Sequence, residues 1–315
     1  MTEPRPDVLV VSALRPGQMA RMETLFALHR HDRAEDPDAL LDAIAPRIRA
    51  VVTTGGRGLG RDIIDRLPGL EIVACSAVGT EKLDLAACRA RGIAVTNTPD
   101  VLTDDVADMA MALLLMARRR LVEGDAHVRS GAWAREGMFP LTPTLTGKRL
   151  GILGLGRIGQ AIAARAEAFR MEIGYVARAP RDVPYARLPD AEALAGWADA
   201  LVVATPGGAG TRGLVSAPVI RALGPGGTLV NISRGSVVDE PAMIEALASG
   251  ALGAAGLDVF AAEPAPDPAL LALPNVALSP HHGSGTVETR DAMARMVVDN
   301  LVAHFNGAPL ISPVA

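Results

Sequence analysis

The stretch "RLGILGLGRIG", Arg149 to Gly159, decides the fold. It opens as a short apolar strand. Gly154, Gly156 and Gly159 follow at G-x-G-x-x-G spacing, and Ile158, Ile162, Ala166 and Phe169 then recur at helical spacing. A lone glycine pattern says little. Between a strand and a helix, each glycine has a task. Gly154 permits the tight turn, Gly156 lets the backbone approach a pyrophosphate, and Gly159 lets the helix pack close to the strand. Leu155, Arg157 and Ile158 complete the loop, and the helix N-terminus offers N–H groups and a positive dipole to phosphate. The stretch therefore predicts a dinucleotide-binding βα unit.

The next predicted strand, "EIGYVARAPR", names the dinucleotide. An NAD-type unit carries an acidic residue about 20 positions after the glycines. Here Ala177 and Arg178 stand at the strand end, with Arg181 nearby. A carboxylate would repel a 2′-phosphate, and a guanidinium binds one with charge-assisted hydrogen bonds. The expected cofactor is NADPH, with NADH second. The plainer reading of Arg178 is a solvated surface arginine.

Working outward, short apolar runs alternate with helical stretches on both sides. Ahead of the glycine loop lie "DVLVVSA", "IRAVVTTGG", "EIVACSAVG" and "IAVTN"; after it lie "EIGYVA", "ALVVAT", "GTLVN", "GAAGLDV" and "NVALSP". Such alternation predicts parallel strands joined by crossover helices. A chain of 315 residues is long for one core, so two α/β domains are expected. "NTPDVLTDDVADMAMALLLMARRR" reads as a hinge and a long helix, capped by Thr103 or Asp104 and ending in arginines that suit a helix C-terminus. Residues 131–148 read as irregular. From about Thr286 the tail is helical.

Composition excludes several classes. Net charge is −4 without a basic run, which argues against nucleic-acid binding. Two cysteines, Cys75 and Cys88, are too few for a disulfide framework and lack metal-site spacing. Buried thiols in a reducing compartment, and no metal site, are expected. The apolar run Met109–Ala117 is far short of the roughly 20 residues of a membrane span. The N-terminus does not read as a signal peptide. A cytoplasmic protein without a membrane partner is expected.

Six histidines occur in the chain, and two stand together in "SPHHGSGT", Ser279 to Thr286. Together with "VNISRGSVVDE" (Val230–Glu240), "GLDVFAAEP" (Gly256–Pro264) and the glycine loop, this stretch resembles the D-isomer-specific 2-hydroxyacid dehydrogenase family. The resemblance runs in register from about Glu71 to Thr286. Within the family, "GMFPLTPTLTGKRLGILGLGRIG" and the basic strand end look most like the NADPH-dependent glyoxylate/hydroxypyruvate reductases.

The resemblance implies that His281, directly after the proline, is the acid/base, and that His282 is a neighbour. It implies that Glu263 partners His281 and that Arg234 binds the substrate. Reducing a 2-oxo acid needs a proton at the carbonyl oxygen, so His281 must be an imidazolium; a carboxylate beside it favours that form and orients the ring. The loop "SAVGT" looks like the family's carboxylate-binding loop, with Ala77, Val78 and Gly79 on the acid end, and Arg57 is a further candidate facing the substrate. Asp258 would sit near the nicotinamide. Thr205, Pro206, Ile232, Ser233, Arg234, His281 and Gly283 would complete the cofactor contacts.

The implied architecture is α/β: two Rossmann-like or flavodoxin-like domains with parallel sheets and a cleft between them. Residues 1–98 with 286–315 would bind substrate, and 99–285 would bind the dinucleotide. The resemblance also implies a homodimer, with the "RSGAWAREGMFPL" arm reaching over the partner. The expected substrate is a small 2-oxo acid, glyoxylate or hydroxypyruvate. Two alternatives stay open: a reductase of bulkier 2-oxo acids such as hydroxyphenylpyruvate, and a dinucleotide-sensing scaffold.

Overall fold

The computed structural model describes residues 5–314. The chain forms two compact units: one runs to Leu102 and resumes at Gly285, and the other is Thr103–Ser284.

The first unit is built on five parallel strands in the order β2-β1-β3-β4-β5. They are β1 Asp7–Val10, β2 Ala27–His29, β3 Ile48–Thr54, β4 Ile72–Ser76 and β5 Ala94–Thr96. Side chains alternate across a strand, and here both faces are covered. Val8, Val10, Ala50, Val52, Ile72 and Ala74 pack with Met22, Phe26, Val297, Val298 and Leu301 on one face. Leu9, Val51, Val73 and Cys75 pack with Ile64, Leu67, Ala87 and Cys88 on the other. Burial of both faces is why these strands read as unbroken apolar runs. The C-terminal helix Val287–Phe305 completes this unit, and Thr286 caps it by accepting from Thr289 N–H at 3.2 Å. Both thiols are buried and unpaired, and desolvation pushes that of Cys75 up to about 12.

The second unit holds seven parallel strands in the order β12-β11-β10-β9-β6-β7-β8. They are β6 Arg149–Leu153, β7 Glu172–Val176, β8 Ala186–Arg187, β9 Ala200–Val203, β10 Thr228–Asn231, β11 Ala254–Leu257 and β12 Val276–Leu278. Strand order reverses between β6 and β9. That switch point is where doubly wound sheets open a ligand crevice beyond their C-terminal strand ends.

Two local expectations differ from the structure. Residues 131–148 are not wholly irregular, because the helix Ala132–Glu136 forms there, after a helix Leu121–Arg129 that the sequence did not announce. The long helix Thr103–Arg118 begins at Thr103 itself, with Asp104 and Asp105 in its first turn. Its terminal arginine stands in the last turn, as expected, and is also buried: Arg118 donates to the carbonyls of Thr144, Asp199 and Gly226 and to Thr228 Oγ1. Desolvation lowers its pKa. The short edge strands β2 and β8 carry too little apolar pattern to announce themselves. Among the described residues no helix is long and apolar enough to cross a membrane, and no His/Cys/Asp/Glu cluster could hold a metal ion.

Candidate active site

The predicted site residues of the second unit all follow C-terminal strand ends of one sheet. The glycine loop follows β6, Ala177 and Arg178 follow β7, and Thr205 and Pro206 follow β9. Ile232, Ser233 and Arg234 follow β10; Asp258 and Glu263 follow β11; His281 and Gly283 follow β12. Parallel strands place all these ends on one edge, so residues more than a hundred positions apart share a crevice.

The glycine loop fits a dinucleotide by its own geometry. Gly154 has φ +104°, and a Cβ there would lie 2.7 Å from Thr205 N. A Cβ on Gly159 would lie 2.2 Å from Gly154 O. Both positions exclude a side chain. Gly156 is the opposite case: nothing lies within 4 Å of its absent Cβ. It precedes the helix Arg157–Ala168 and supplies no side-chain cap, so no capping side chain stands between that helix N-terminus and an anion. Arg178 and Arg181 are exposed beyond β7. The hydroxyl of Tyr175 accepts from Arg181 N–H at 3.1 Å and ties that loop to the strand.

The catalytic candidates converge as a held pair. His281 Nδ1 lies 2.7 Å from Glu263 Oε2. Glu263 Oε1 accepts from Phe260 N–H at 3.0 Å, so the carboxylate is anchored to its own loop. With Nδ1 engaged, Nε2 is the ring nitrogen placed to exchange a proton. His281 sits at φ +51°, a left-handed conformation that costs a non-glycine residue about 1–3 kcal/mol. Asp258 holds that turn. It is buried, and its carboxylate accepts from Ser279 Oγ at 2.6 Å, His282 N–H at 2.6 Å and Gly283 N–H at 2.8 Å. His282 therefore contributes its main chain to the turn, whereas His281 carries the carboxylate contact.

Arg234 lies on the strand-end turn after β10. Asn231 shapes that turn, its side chain donating to Arg234 O and accepting from Ser233 N–H, each at 3.0 Å. Ser233 Oγ donates to Thr205 O. One Arg234 Nη1 donates to Ser233 O at 2.7 Å. A Cβ on Gly235 would lie 1.9 Å from Phe260 C, so only glycine lets this turn meet the loop that carries Glu263.

Two further residues join this edge. Glu240 is buried and accepts from Ala261 N–H at 2.8 Å, bracing the Glu263 loop from beneath. Its signal was an acid at a helix start inside "VVDEP". Arg187 donates to Ala177 O at 3.3 Å, adding a third guanidinium to the basic end of β7; only the β7–β8 pairing shows it.

In the first unit, Arg57 and Ala77–Gly79 likewise follow strand ends, those of β3 and β4. The two loops touch closely: a Cβ on Gly55 would lie 2.7 Å from Ala77 Cβ. Arg57 is exposed, its N–H donating to Thr54 Oγ1 at 3.3 Å.

Comparison with known proteins adds an independent line. The model for the D-isomer specific 2-hydroxyacid dehydrogenase NAD binding domain matches residues 111–283. The chain is 52% identical over 308 residues to a hydroxyphenylpyruvate reductase of Plectranthus scutellarioides, covering 98% of each. It is 45% identical over 311 residues to a 2-ketogluconate reductase of Gluconobacter oxydans, covering 98% of this chain and 99% of that one. Among solved structures it resembles an NADPH-dependent glyoxylate/hydroxypyruvate reductase of Sinorhizobium meliloti in complex with NADP and malonate. That likeness has a TM-score of 0.91 at 42% identity, over 99% of this chain and 97% of that one.

Proposed function

Because the chain belongs to the D-isomer specific 2-hydroxyacid dehydrogenase family, we propose that it reduces a small 2-oxo acid, glyoxylate or hydroxypyruvate, to the D-2-hydroxy acid with NADPH. The observation that carries this reading is the His281–Glu263 pair, held at 2.7 Å on the same sheet edge as the glycine loop.

NADPH, when bound, supplies the hydride to the carbonyl carbon. The chain's own residues do the rest. Gly154–Gly159 hold the pyrophosphate, Arg178 with Arg181 the 2′-phosphate, and Thr205, Pro206, Ile232, Ser233, Asp258 and Gly283 the rest of the cofactor. Val78 and Gly79 offer main-chain N–H groups to the substrate carboxylate, beside Ala77 and with Arg57 nearby. Arg234 polarises the carbonyl oxygen. His281 delivers the proton to that oxygen from Nε2 while Glu263 keeps the ring aligned. A positioned acid of this kind contributes about 10²–10⁴ in rate. In the reverse direction a neutral His281 takes the same proton back.

On this reading residues 99–285 bind the dinucleotide, and 1–98 with 286–315 bind the substrate. The homodimer belongs to the same proposal. Trp133, Met138 and Leu141 are exposed, Leu141 almost completely, as are Leu121, Val122 and Val128, and Leu121, Val128 and Leu141 line one hollow. An apolar patch of this kind marks an interface. A second substrate reading, a bulkier 2-oxo acid, is supported by the hydroxyphenylpyruvate and 2-ketogluconate reductases among the relatives.

The test is NADPH oxidation, followed by absorbance, with glyoxylate, hydroxypyruvate and hydroxyphenylpyruvate, repeated with NADH. Faster turnover of the two small acids with NADPH is expected. NADPH binding without turnover of any acid would favour the scaffold reading.

A further inference from the structure

Two consecutive peptide groups after β4 are both held from one side. The Ala77 carbonyl accepts from Thr98 N–H at 2.8 Å. The Val78 carbonyl accepts from Asn97 Nδ2 at 2.9 Å. Both peptide bonds are trans, and a trans peptide points its N–H opposite to its carbonyl. The N–H groups of Val78 and Gly79 are therefore both turned away from residues 97–98. Neither donates a hydrogen bond to another of the described residues. Successive peptides of a strand face alternate ways, so two neighbouring N–H groups on one side need a hold, and Asn97–Thr98 supplies it.

Asn97 is itself fixed. Its N–H donates to Ser312 O at 3.3 Å, and its carbonyl accepts from Ser312 Oγ at 2.6 Å. That hydroxyl accepts from Asn300 Nδ2 at 2.9 Å. The side-chain oxygen of Asn300, in the C-terminal helix, accepts from Ile311 N–H at 3.0 Å and Ser312 N–H at 3.2 Å. Asn300 is fully buried.

We propose that Asn97 is a positioning residue for the substrate's acid group: its amide grips the Val78 carbonyl and thereby aims the Gly79 N–H, beside that of Val78, at one carboxylate. The proposal rests on the reading of 76–80 as the acid-binding loop. Two adjacent N–H groups suit the two oxygens of a carboxylate, and backbone concavities of this kind bind anions. Asn97 does not touch the substrate.

The test uses the whole protein with Asn97→Ala and Asn97→Asp. Both substitutions keep the main-chain bonds to Ser312, and the near-isosteric Asn97→Asp carries the test if Asn97→Ala does not fold. In Asn97→Ala the KM for glyoxylate should rise about tenfold, the scale of one hydrogen bond to a charged group. Its kcat and the Kd of NADPH should stay within about twofold of wild type, a change that a 1.4 kcal/mol tenfold step makes small. Inhibition by oxamate, an analogue that cannot be reduced, should weaken in parallel. Asn97→Asp should show a larger rise, because an acceptor then faces the Val78 carbonyl. Lowering the pH toward about 5 protonates part of that carboxyl, restores a donor and should narrow the gap. An active wild type with unchanged KM in both variants overturns this proposal alone. A wild type that turns over no 2-oxo acid overturns the functional reading and this proposal with it.

Discussion

Glu263 grips two partners at once: Oε2 lies 2.7 Å from His281 Nδ1, and Oε1 accepts from Phe260 N–H at 3.0 Å. One carboxylate thus fixes both the imidazole and the loop from which it reaches. An acid that has only to hold a charge needs no second anchor. An acid that has to hold a ring at a set angle does.

Replacing Glu263 with Gln keeps both contacts sterically and removes the charge. We expect kcat for reduction to fall by about 10²-fold, within the range of general acid catalysis, with NADPH affinity unchanged. Steady-state kinetics and cofactor fluorescence check this.

Gly235→Ala should damage catalysis without touching any reacting group. Its Cβ would sit 1.9 Å from Phe260 C, so the Arg234 turn and the Glu263 loop must part. Overpacking of this kind costs about 1–3 kcal/mol, and misplacement near 1 Å costs about 10² in rate. A lower melting temperature together with a lower kcat is the expected pair of readouts.

Arg178→Ser tests the cofactor assignment. Hydrogen bonds to a charged group contribute about 1.5–3 kcal/mol, so the KM for NADPH should rise about 10- to 100-fold. The KM for NADH should hardly change. Equal effects on both would remove Arg178 from the 2′-phosphate site.

His31 predicts a pH dependence of stability that involves none of the reacting groups. Burial, then the charge of Arg57, lowers its pKa from the usual 6.5. Above that value the ring is neutral folded and unfolded, and stability is complete. As pH falls from 6.5 toward the lower folded value, only the unfolded chain takes up the proton, so stability drops. A His31→Phe variant should lose less of its melting temperature between about pH 7 and pH 5.5, since nothing titrates there.

How much could be read in advance follows from the range of the forces involved. The glycine loop is legible because its three constraints lie within six residues and each admits one residue type. The buried strands are legible because both faces of each sheet are covered. Strands β2 and β8 lie at sheet edges, where a few residues pair on one side and carry no apolar run. Arg118 was legible as a helix-end cation, but its burial was not, because its partners, Thr144, Asp199, Gly226 and Thr228, come from three distant segments. Glu240 and Asn97 act through carbonyls and amides of loops far along the chain, and no local pattern encodes such contacts. His281 could be told from His282 through family resemblance; the residues alone left the two equal.

The central claim is that the His281–Glu263 pair hands a proton to a 2-oxo acid during nicotinamide-driven reduction. The most direct measurement compares wild type with His281→Gln in NADPH oxidation by glyoxylate, with NADPH binding followed by fluorescence on the same samples. In the variant kcat should be lower by about 10²–10⁴, with NADPH bound as tightly as by wild type. Turnover by His281→Gln within a few-fold of wild type would contradict that claim.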